Sequence, residues 1–373
     1  MGIKRFITKG KMDFVLCMAI IAMCAFGLVM LYSASYYYAY EQFGNGFKYL
    51  INQGIFMALG FGSMFLLSFV DYRLWGKFRL WVLGITLILM ILVIAVGVEI
   101  NGAKRWLAFD VGPISISFQP SELAKFALIM TMAAFMAQDP KRMKSFKNGV
   151  LPLLLLTGLI GGIILLQKNM SMMVVVMLMG VIMLYIGGAR PKHLLFIAIG
   201  AVIIFFIAAI AEPYRIQRLT IFVDPFKDPQ DAGHQLVQSL YAFGSGGLFG
   251  QGLNFSKQKM LFLPYGESDF IFSIIGEELG FVGCVLLILA YVFMISRGIR
   301  IAMRCKDRFG SLLAMGITLV LAMQVAVNMG VALSVLPTTG QTLPFISAGG
   351  TSLFIFLSAM GILLNISRQS NLE

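Results

Sequence analysis

Long apolar stretches broken by short polar ones run through the whole chain. Runs near the twenty residues a bilayer-crossing helix needs occur at roughly 14–32, 47–69, 78–97, 121–137, 149–166, 170–187, 193–211, 269–296, 311–335 and 346–366. None shows the strict two-residue alternation of a barrel strand. Backbone in hydrocarbon must satisfy its own hydrogen bonds, so the spans are read as helices. The pattern predicts an all-α, polytopic integral membrane protein with ten transmembrane helices, residues 1–373 forming a single membrane domain. One connection is long, residues 212–268 between spans 7 and 8, and that length implies structure or function of its own.

Composition agrees. Hydrophobic residues make up 59% of the chain and charged ones 12%, against about 25% charged in a soluble domain. The net charge of +12 raises the question of nucleic acid, and the position of the cations answers it. Lys4, Arg5, Lys9 and Lys11 precede span 1, and Arg73, Lys77 and Arg79 follow span 2. Lys141, Arg142, Lys144 and Lys147 follow span 4, and Arg190 and Lys192 follow span 6. Arg297, Arg300, Arg304, Lys306 and Arg308 follow span 8, and Arg368 closes the chain. Every second connection is basic, so both termini are expected in the cytoplasm and the odd-numbered loops outside. Topology and anionic inner-leaflet lipid explain the basic balance, and no nucleic-acid partner is expected. Ser33-Ala34-Ser35 has the small residues of a signal-peptidase site, but the preceding apolar run is long and nine more spans follow, so span 1 reads as an uncleaved anchor. Cys17, Cys24, Cys284 and Cys305 lie in spans or at the cytoplasmic side without a CxxC pair, which indicates neither a disulfide framework nor a zinc site.

The outward loops carry the chemistry. NGAKRWLAFDVGPISISFQPSELAK, from Asn101 to Lys125, offers Arg105 and Trp106 and then Gln119, Ser121 and Glu122 at the start of span 4. Pro120 and an acid in the first turn suit a helix N-terminus, which leaves Lys125 unexplained. Glu122 and Lys125 are three residues apart on one helix face, an intramembrane ion pair that either holds the structure or faces a substrate. Loop seven has a basic entrance (Arg215, Arg218), an acidic centre (Asp224, Asp228, Asp231) and an amphipathic run from His234 to Phe243. Its tail, GSGGLFGQG, lacks the GK[ST] and the βαβ context of a phosphate loop and reads as a flexible lid or turn. His234 and His193 are the two histidines, too few for a zincin and poorly placed for a Ser-His-Asp triad.

LPYGESDFIFSIIGEELG, residues 263–280, places four acids on an apolar segment. On a helix starting near Asp269, Asp269, Ser273, Gly276 and Gly280 share a stripe, Glu277 lies at its edge about 12 Å deeper, and Glu278 points away. Asp269 is read as a helix cap or, more sharply, as a general base. Partial burial would raise its pKa while the helix N-terminus and nearby cations hold it ionised. Glu277 and Glu278 read as partners of buried groups such as Lys125, or as anchors to neighbouring helices. LPTTGQTLPFISAGGTSL, residues 336–353, has the prolines and glycines of a broken or re-entrant backbone lining a cavity. Its hydroxyls, Ser347 and Ser352 among them, are candidates for sugar or phosphate contacts.

GAKRWL with QPSELAK, then LPYGESDFIFSIIGEELG, then LPTTGQTLPFISAGG resemble, together and in order, the SEDS family (shape, elongation, division and sporulation). GEELG and TGQTLPFISAGG bring the chain nearer the division and sporulation branch (FtsW, SpoVE) than the elongation branch (RodA). The resemblance implies a ten-span peptidoglycan glycosyltransferase at the outer face of the bacterial cytoplasmic membrane, at the division septum. Its substrates would be lipid II and undecaprenyl-pyrophosphate-linked glycan, and its partners a class B penicillin-binding protein and other division proteins. Asp269 matches the family's catalytic acid and Glu122 and Lys125 its polar pair. Arg215 and Arg218 match its basic residues after span 7, and Gln238 and Ser239 its loop-seven helix. Gly266-Glu267-Ser268 stands where His-Thr is frequent and Ala348 where Tyr is frequent, which bears on substrate-loop detail. Arg215, Arg218 and Lys257, or a divalent cation (Mg or Mn), would neutralise the leaving pyrophosphate; no other cofactor is expected. The competing expectations are a lipid II flippase, whose inverted repeats the sequence does not show, and a non-enzymatic scaffold of division proteins, which would leave Glu122, Lys125 and Asp269 without a purpose.

Overall fold

A computed structural model describes residues 10–100, 102–111, 114–210, 221–222, 224–231 and 233–370. Arg215 and Arg218 lie outside the described residues. Each predicted span appears as a helix: α1 (Phe14–Phe43), α2 (Lys48–Phe69), α3 (Arg73–Val96), α4 (Pro120–Gln138), α5 (Leu151–Leu166), α6 (Met170–Ile186), α7 (Pro191–Ile210), α9 (Ile271–Arg304), α10 (Arg308–Ala332) and α11 (Gly350–Ser370). The loop-seven run is a shorter helix, α8 (His234–Gly246). Among the described residues, eight helices are long and apolar enough to cross a membrane, the fifth of them reaching back to Phe146, and α6 and the first half of α7 are shorter apolar helices.

The ends follow local chemistry. Asp13 caps α1, its side chain accepting the Leu16 N–H, and Gly44 in the left-handed region closes the same helix. Pro120 occupies the first turn of α4, where its missing N–H costs nothing. One feature departs from an all-helical reading. Strands β1 (Val98–Ile100), β2 (Ala103–Val111) and β3 (Ile114–Phe118) make an antiparallel sheet between α3 and α4, in the order β1-β2-β3. Ala103, Arg105 and Leu107 alternate with Lys104 and Trp106 there, a pattern too short to separate from a loop by sequence.

α4, α10 and α11 are buried along most of their length, whereas α2 and α3 bury only a small part of theirs. The interior helices are therefore the ones able to carry polar groups shielded from lipid. Between α10 and α11 the chain runs from Leu333 to Gly349 without helix, turning through positive φ at Ser334, Gly340 and Phe345. This is the broken connection expected from the Pro and Gly content.

Candidate functional site

α9 begins at Ile271, with Phe270 as its N-cap and no side-chain capping bond, so Asp269 is not the helix cap. It lies one residue outside the cap, in a turn held from two sides. The Asn328 side chain of α10 donates to the Asp269 carbonyl (2.8 Å) and to the Gln341 carbonyl (2.7 Å). Ser347 Oγ donates to the Ser268 carbonyl (2.5 Å) and accepts the Leu343 N–H (2.8 Å), and the Ala348 N–H donates to the Glu267 carbonyl (2.9 Å). Residues 267–269 and 341–348, two of the distinctive stretches, are thus zipped together. Gln53 of α2 closes the arrangement, donating to the Ser347 carbonyl and accepting the Gly349 N–H.

The Asp269 carboxylate faces Gly340, where a β-carbon would lie 3.5 Å from its Oδ2. It is half-buried, and among the described residues no cation pairs with it. Burial raises its pKa to about 6; the neighbouring Glu267 charge adds to the rise, and a hydrogen bond with Ser268 opposes it. Burial likewise pushes Glu267 upward. The cations expected to hold Asp269 ionised are therefore absent among the described residues. What remains is a carboxylate that still ionises at neutral pH yet has a raised proton affinity, the balance a general base needs. Beside it, Thr339 Oγ1, Gln341 Oε1 and Asn328 Oδ1 are buried polar atoms without a partner among the described residues.

A second polar group sits between α4, α10 and α11. Lys125, 1% exposed, donates to both carboxylate oxygens of Glu122 (3.0 Å each) and to Gln324. Ser352 Oγ donates to Glu122 Oε2 (3.1 Å), and Gln324 donates to the carbonyl and hydroxyl of Thr342. The ion pair anticipated from its spacing is therefore real. Its further partners, Gln324 and Ser352, tie it to the chain that lies against Asp269.

Other candidates are placed elsewhere. Ser239 is fully buried, bonded to Ser273 Oγ (2.6 Å) and the Ala332 carbonyl (2.5 Å), so it fastens α8 to α9 and α10 rather than facing a substrate. Gln238 contacts His234 one turn earlier. Ser347 and Ser352 are committed to the bonds above rather than forming a free hydroxyl floor. Arg105 donates to the Lys168 carbonyl, docking β2 on the α5–α6 turn; Trp106 is half-buried beside it, and Ser117 in β3 accepts from Thr351 of α11 (2.7 Å). Gln119 is the N-cap residue of α4, and Ser121 Oγ is buried without a partner among the described residues.

Glu277 and Glu278 anchor loop seven and do not reach Lys125. Glu278 accepts from Ser33 of α1 (2.6 and 2.7 Å) and pairs with Lys259 (2.9 Å), which also bonds Ser33 and Asn254. Glu277 accepts from Ser256 Oγ (2.5 Å) and from the N–H groups of Lys257 (3.0 Å) and Gln258 (3.2 Å). Lys257, expected to meet the leaving group, is exposed, and among the described residues of this loop Lys259 is the buried cation.

The glycine-rich tail of α8 is a packed splice rather than a flexible lid. α9 breaks at Gly280 (φ 66°, ψ −166°). There the N–H groups of Phe281 and Val282 turn to the carbonyls of Gly247 and Leu248, while the freed carbonyls of Glu277 and Glu278 accept from Gln251 and Gly252. These four loop bonds give the Phe281 and Val282 N–H groups and the Glu277 and Glu278 carbonyls new partners where the helical ladder is interrupted. A β-carbon on Gly280 would lie 2.3 Å from the Gly250 nitrogen, which together with the positive φ requires glycine. The signal missed in the sequence was the amides inside apolar spans at Gln53, Gln324 and Asn328, each of which proves to hold the connection between α10 and α11.

Comparison with known proteins agrees with this geometry. A family model described as "Cell cycle protein", of the FtsW, RodA and SpoVE proteins, matches residues 14–372. A "Probable peptidoglycan glycosyltransferase FtsW" of Geobacter metallireducens is 39% identical over 96% of this chain and 95% of its own. "Stage V sporulation protein E" of Bacillus subtilis is 40% identical over 97% and 98%. A chain of the structure described as "Structural coordination of polymerization and crosslinking by a peptidoglycan synthase complex" superposes with a TM-score of 0.78 at 31% identity, covering 97% of this chain and 99% of that one. The rod shape determining protein RodA of Thermus thermophilus superposes with a TM-score of 0.67 at 30% identity over 96% and 97%. The chain therefore belongs to the FtsW, RodA and SpoVE family of cell cycle proteins.

Proposed function

We propose that this protein is a peptidoglycan glycosyltransferase that polymerises lipid II into glycan strands in cell division or sporulation, with Asp269 as its general base. The observation that carries the reading is the half-buried Asp269 carboxylate, pKa about 6, set against the broken segment 333–349. Asp269 takes the proton of the 4-hydroxyl on the GlcNAc of an incoming lipid II. The oxygen forms its new bond to the anomeric carbon of the growing strand's terminal MurNAc. The bond from that carbon to the pyrophosphate breaks, and undecaprenyl pyrophosphate leaves with the electron pair. The leaving group is already good, so no paired-carboxylate mechanism is needed. Thr339, Gln341 and Asn328 supply polar atoms for the sugar hydroxyls, and Arg215 and Arg218 are assigned to the pyrophosphate charge.

A divalent cation would find two carboxylates here, Glu267 and Asp269. No group of three His, Cys, Asp or Glu side chains suited to a metal occurs among the described residues. Two carboxylates are too few for a cage built by the protein alone and would leave the remaining positions to water or to the substrate's phosphates. By the distribution of Lys and Arg, the Asp269 end faces outward and both termini lie in the cytoplasm, with a class B penicillin-binding protein as partner at the septum. Purified protein given lipid II should yield glycan strands, and Asp269→Asn should not; strand synthesis by the variant at the parental rate would refute the assignment.

A further inference from the structure

At the end of α9 opposite Asp269 lies a pocket of about 180 Å³, lined by Asp13, Phe14, Arg297, Arg300, Arg304 and Ser367. Its one carboxylate is already occupied. Asp13 Oδ1 accepts the Leu16 N–H, and Oδ2 accepts from Arg297 Nε (3.1 Å) and Nη2 (2.6 Å). Asp13 N–H in turn donates to Ser367 Oγ (2.9 Å), which fixes the start of α1 against the end of α11. Arg297 is thus neutralised, and Arg300 and Arg304 remain. They are one turn apart on α9, exposed, and without an ion pair or hydrogen bond among the described residues. Two uncompensated guanidinium groups at the edge of a concave pocket are suited to a phosphate, which accepts their donors in a fixed fork.

The other wall shows what the phosphate is attached to. Phe14 is 62% exposed, and Met18, Ala22, Ala25 and Val29 continue from it as an exposed apolar stripe along α1 at helical spacing. A soluble phosphate would use only the arginines. A ligand with an anionic head and long apolar tails would use both the arginines and the stripe that starts at the pocket's mouth.

We propose that this pocket binds an anionic phospholipid, its phosphate on Arg300 and Arg304 and its acyl chains along Phe14, Met18 and Val29. The site is separate from the one around Asp269, since the unbroken part of α9 from Phe281 to Arg300 alone sets the two about 30 Å apart. It does not depend on the glycosyltransferase reading.

The test is native mass spectrometry of the full-length protein in detergent, titrated separately with phosphatidylglycerol, phosphatidylcholine and inorganic phosphate. Phosphatidylglycerol should bind tightly to the parent and roughly thirtyfold more weakly to the Arg300→Gln/Arg304→Gln protein. A charge-matched Lys77→Gln/Lys141→Gln protein, altered at exposed lysines elsewhere in the basic connections, should keep parental affinity. Arg300→Lys/Arg304→Lys should fall between, because lysine keeps the charge and loses the fork. Equal weakening in the Lys77/Lys141 control would reduce the effect to surface charge and overturn the site. So would equal affinity for phosphatidylcholine, or displacement of bound phosphatidylglycerol by millimolar inorganic phosphate, which would make it an anion site without lipid recognition.

Discussion

Asp269 and the pair Glu277–Glu278 lie within ten residues of one another on the same stretch of chain, and the fold treats them in opposite ways. Glu277 and Glu278 are sealed and saturated. They accept from two serine hydroxyls, from backbone N–H groups and from Lys259, and so hold loop seven to α1 and α9. Asp269 keeps part of its surface open, has no ion-pair partner among the described residues and carries a raised pKa. A buried acid with every lone pair engaged is structural, whereas an acid denied compensation at an open turn is one whose proton can move. The lesson is that burial alone does not assign a role; the balance of burial against partners does.

The largest expected effect separates the two in activity. Asp269→Asn should lower the rate of glycan synthesis by on the order of 10² to 10⁴, the usual contribution of a positioned general base, with the fold intact. Glu278→Gln should do the reverse in kind. It leaves the Lys259 ammonium buried without its counter-charge, at a cost of about 3–5 kcal/mol, read as a fall in thermal midpoint and increased proteolysis of residues 250–263. Replacing both partners, Lys259→Met with Glu278→Gln, should recover most of that loss. If the double variant is no more stable than Glu278→Gln alone, the pair is not what holds the loop.

Gly280→Ala sharpens the same contrast through the backbone. The new β-carbon meets the Gly250 nitrogen and the Leu248 carbonyl at a positive φ, a clash that pulls the splice apart at a cost of about 1–3 kcal/mol. Hydrogen exchange should rise at the Gln251, Gly252, Phe281 and Val282 amides while α4 and α10 stay protected. A rise spread evenly over the bundle would show that the splice is not a local unit.

The helical character of the apolar segments was legible because each is a long apolar run, a signal that needs no neighbour to interpret. Asp269, Glu122 and Lys125 were legible for the same reason, as charges where charge is costly. The roles of Glu277 and Glu278 were not, because their partners Ser33 and Lys259 are distant in sequence or indistinguishable from Lys257 two residues away. Ser239 and Ser347 read as substrate groups only while the carbonyls they bond, on Ala332 and Ser268, were out of sight. The break at Gly280 was hidden because a glycine in an apolar helix also reads as close packing. Only the coincidence of loop and helix backbone at that point distinguishes the two.

Activity at different pH values tests Asp269 directly. With its pKa near 6, the base is ionised at neutral pH. The rate should fall about tenfold per unit as pH drops below 6, while an ordinary exposed aspartate would hold its rate down to about 4. A profile flat to pH 4.5 would mean that another group accepts the proton.

The smallest effect is also the most specific, and it concerns stability. Asp269's folded pKa of about 6 lies above the ordinary 3.8, so between those values the folded chain binds more protons than the unfolded one. Stability from this group is therefore lost as pH rises through that window, and at pH 7 the folded state carries a penalty of at most about 3 kcal/mol, less the part that solvent at the open turn relieves. Asparagine has the same shape and no charge to bury. Asp269→Asn should then melt higher than the parent at pH 7.5, and the gap should close toward pH 4, where the parental carboxyl is itself protonated. Glu278→Gln should show the opposite sign at pH 7.5. An Asp269→Asn protein that melts lower than its parent at neutral pH would place Asp269 with the anchoring acids, and the division of labour along this stretch would not hold.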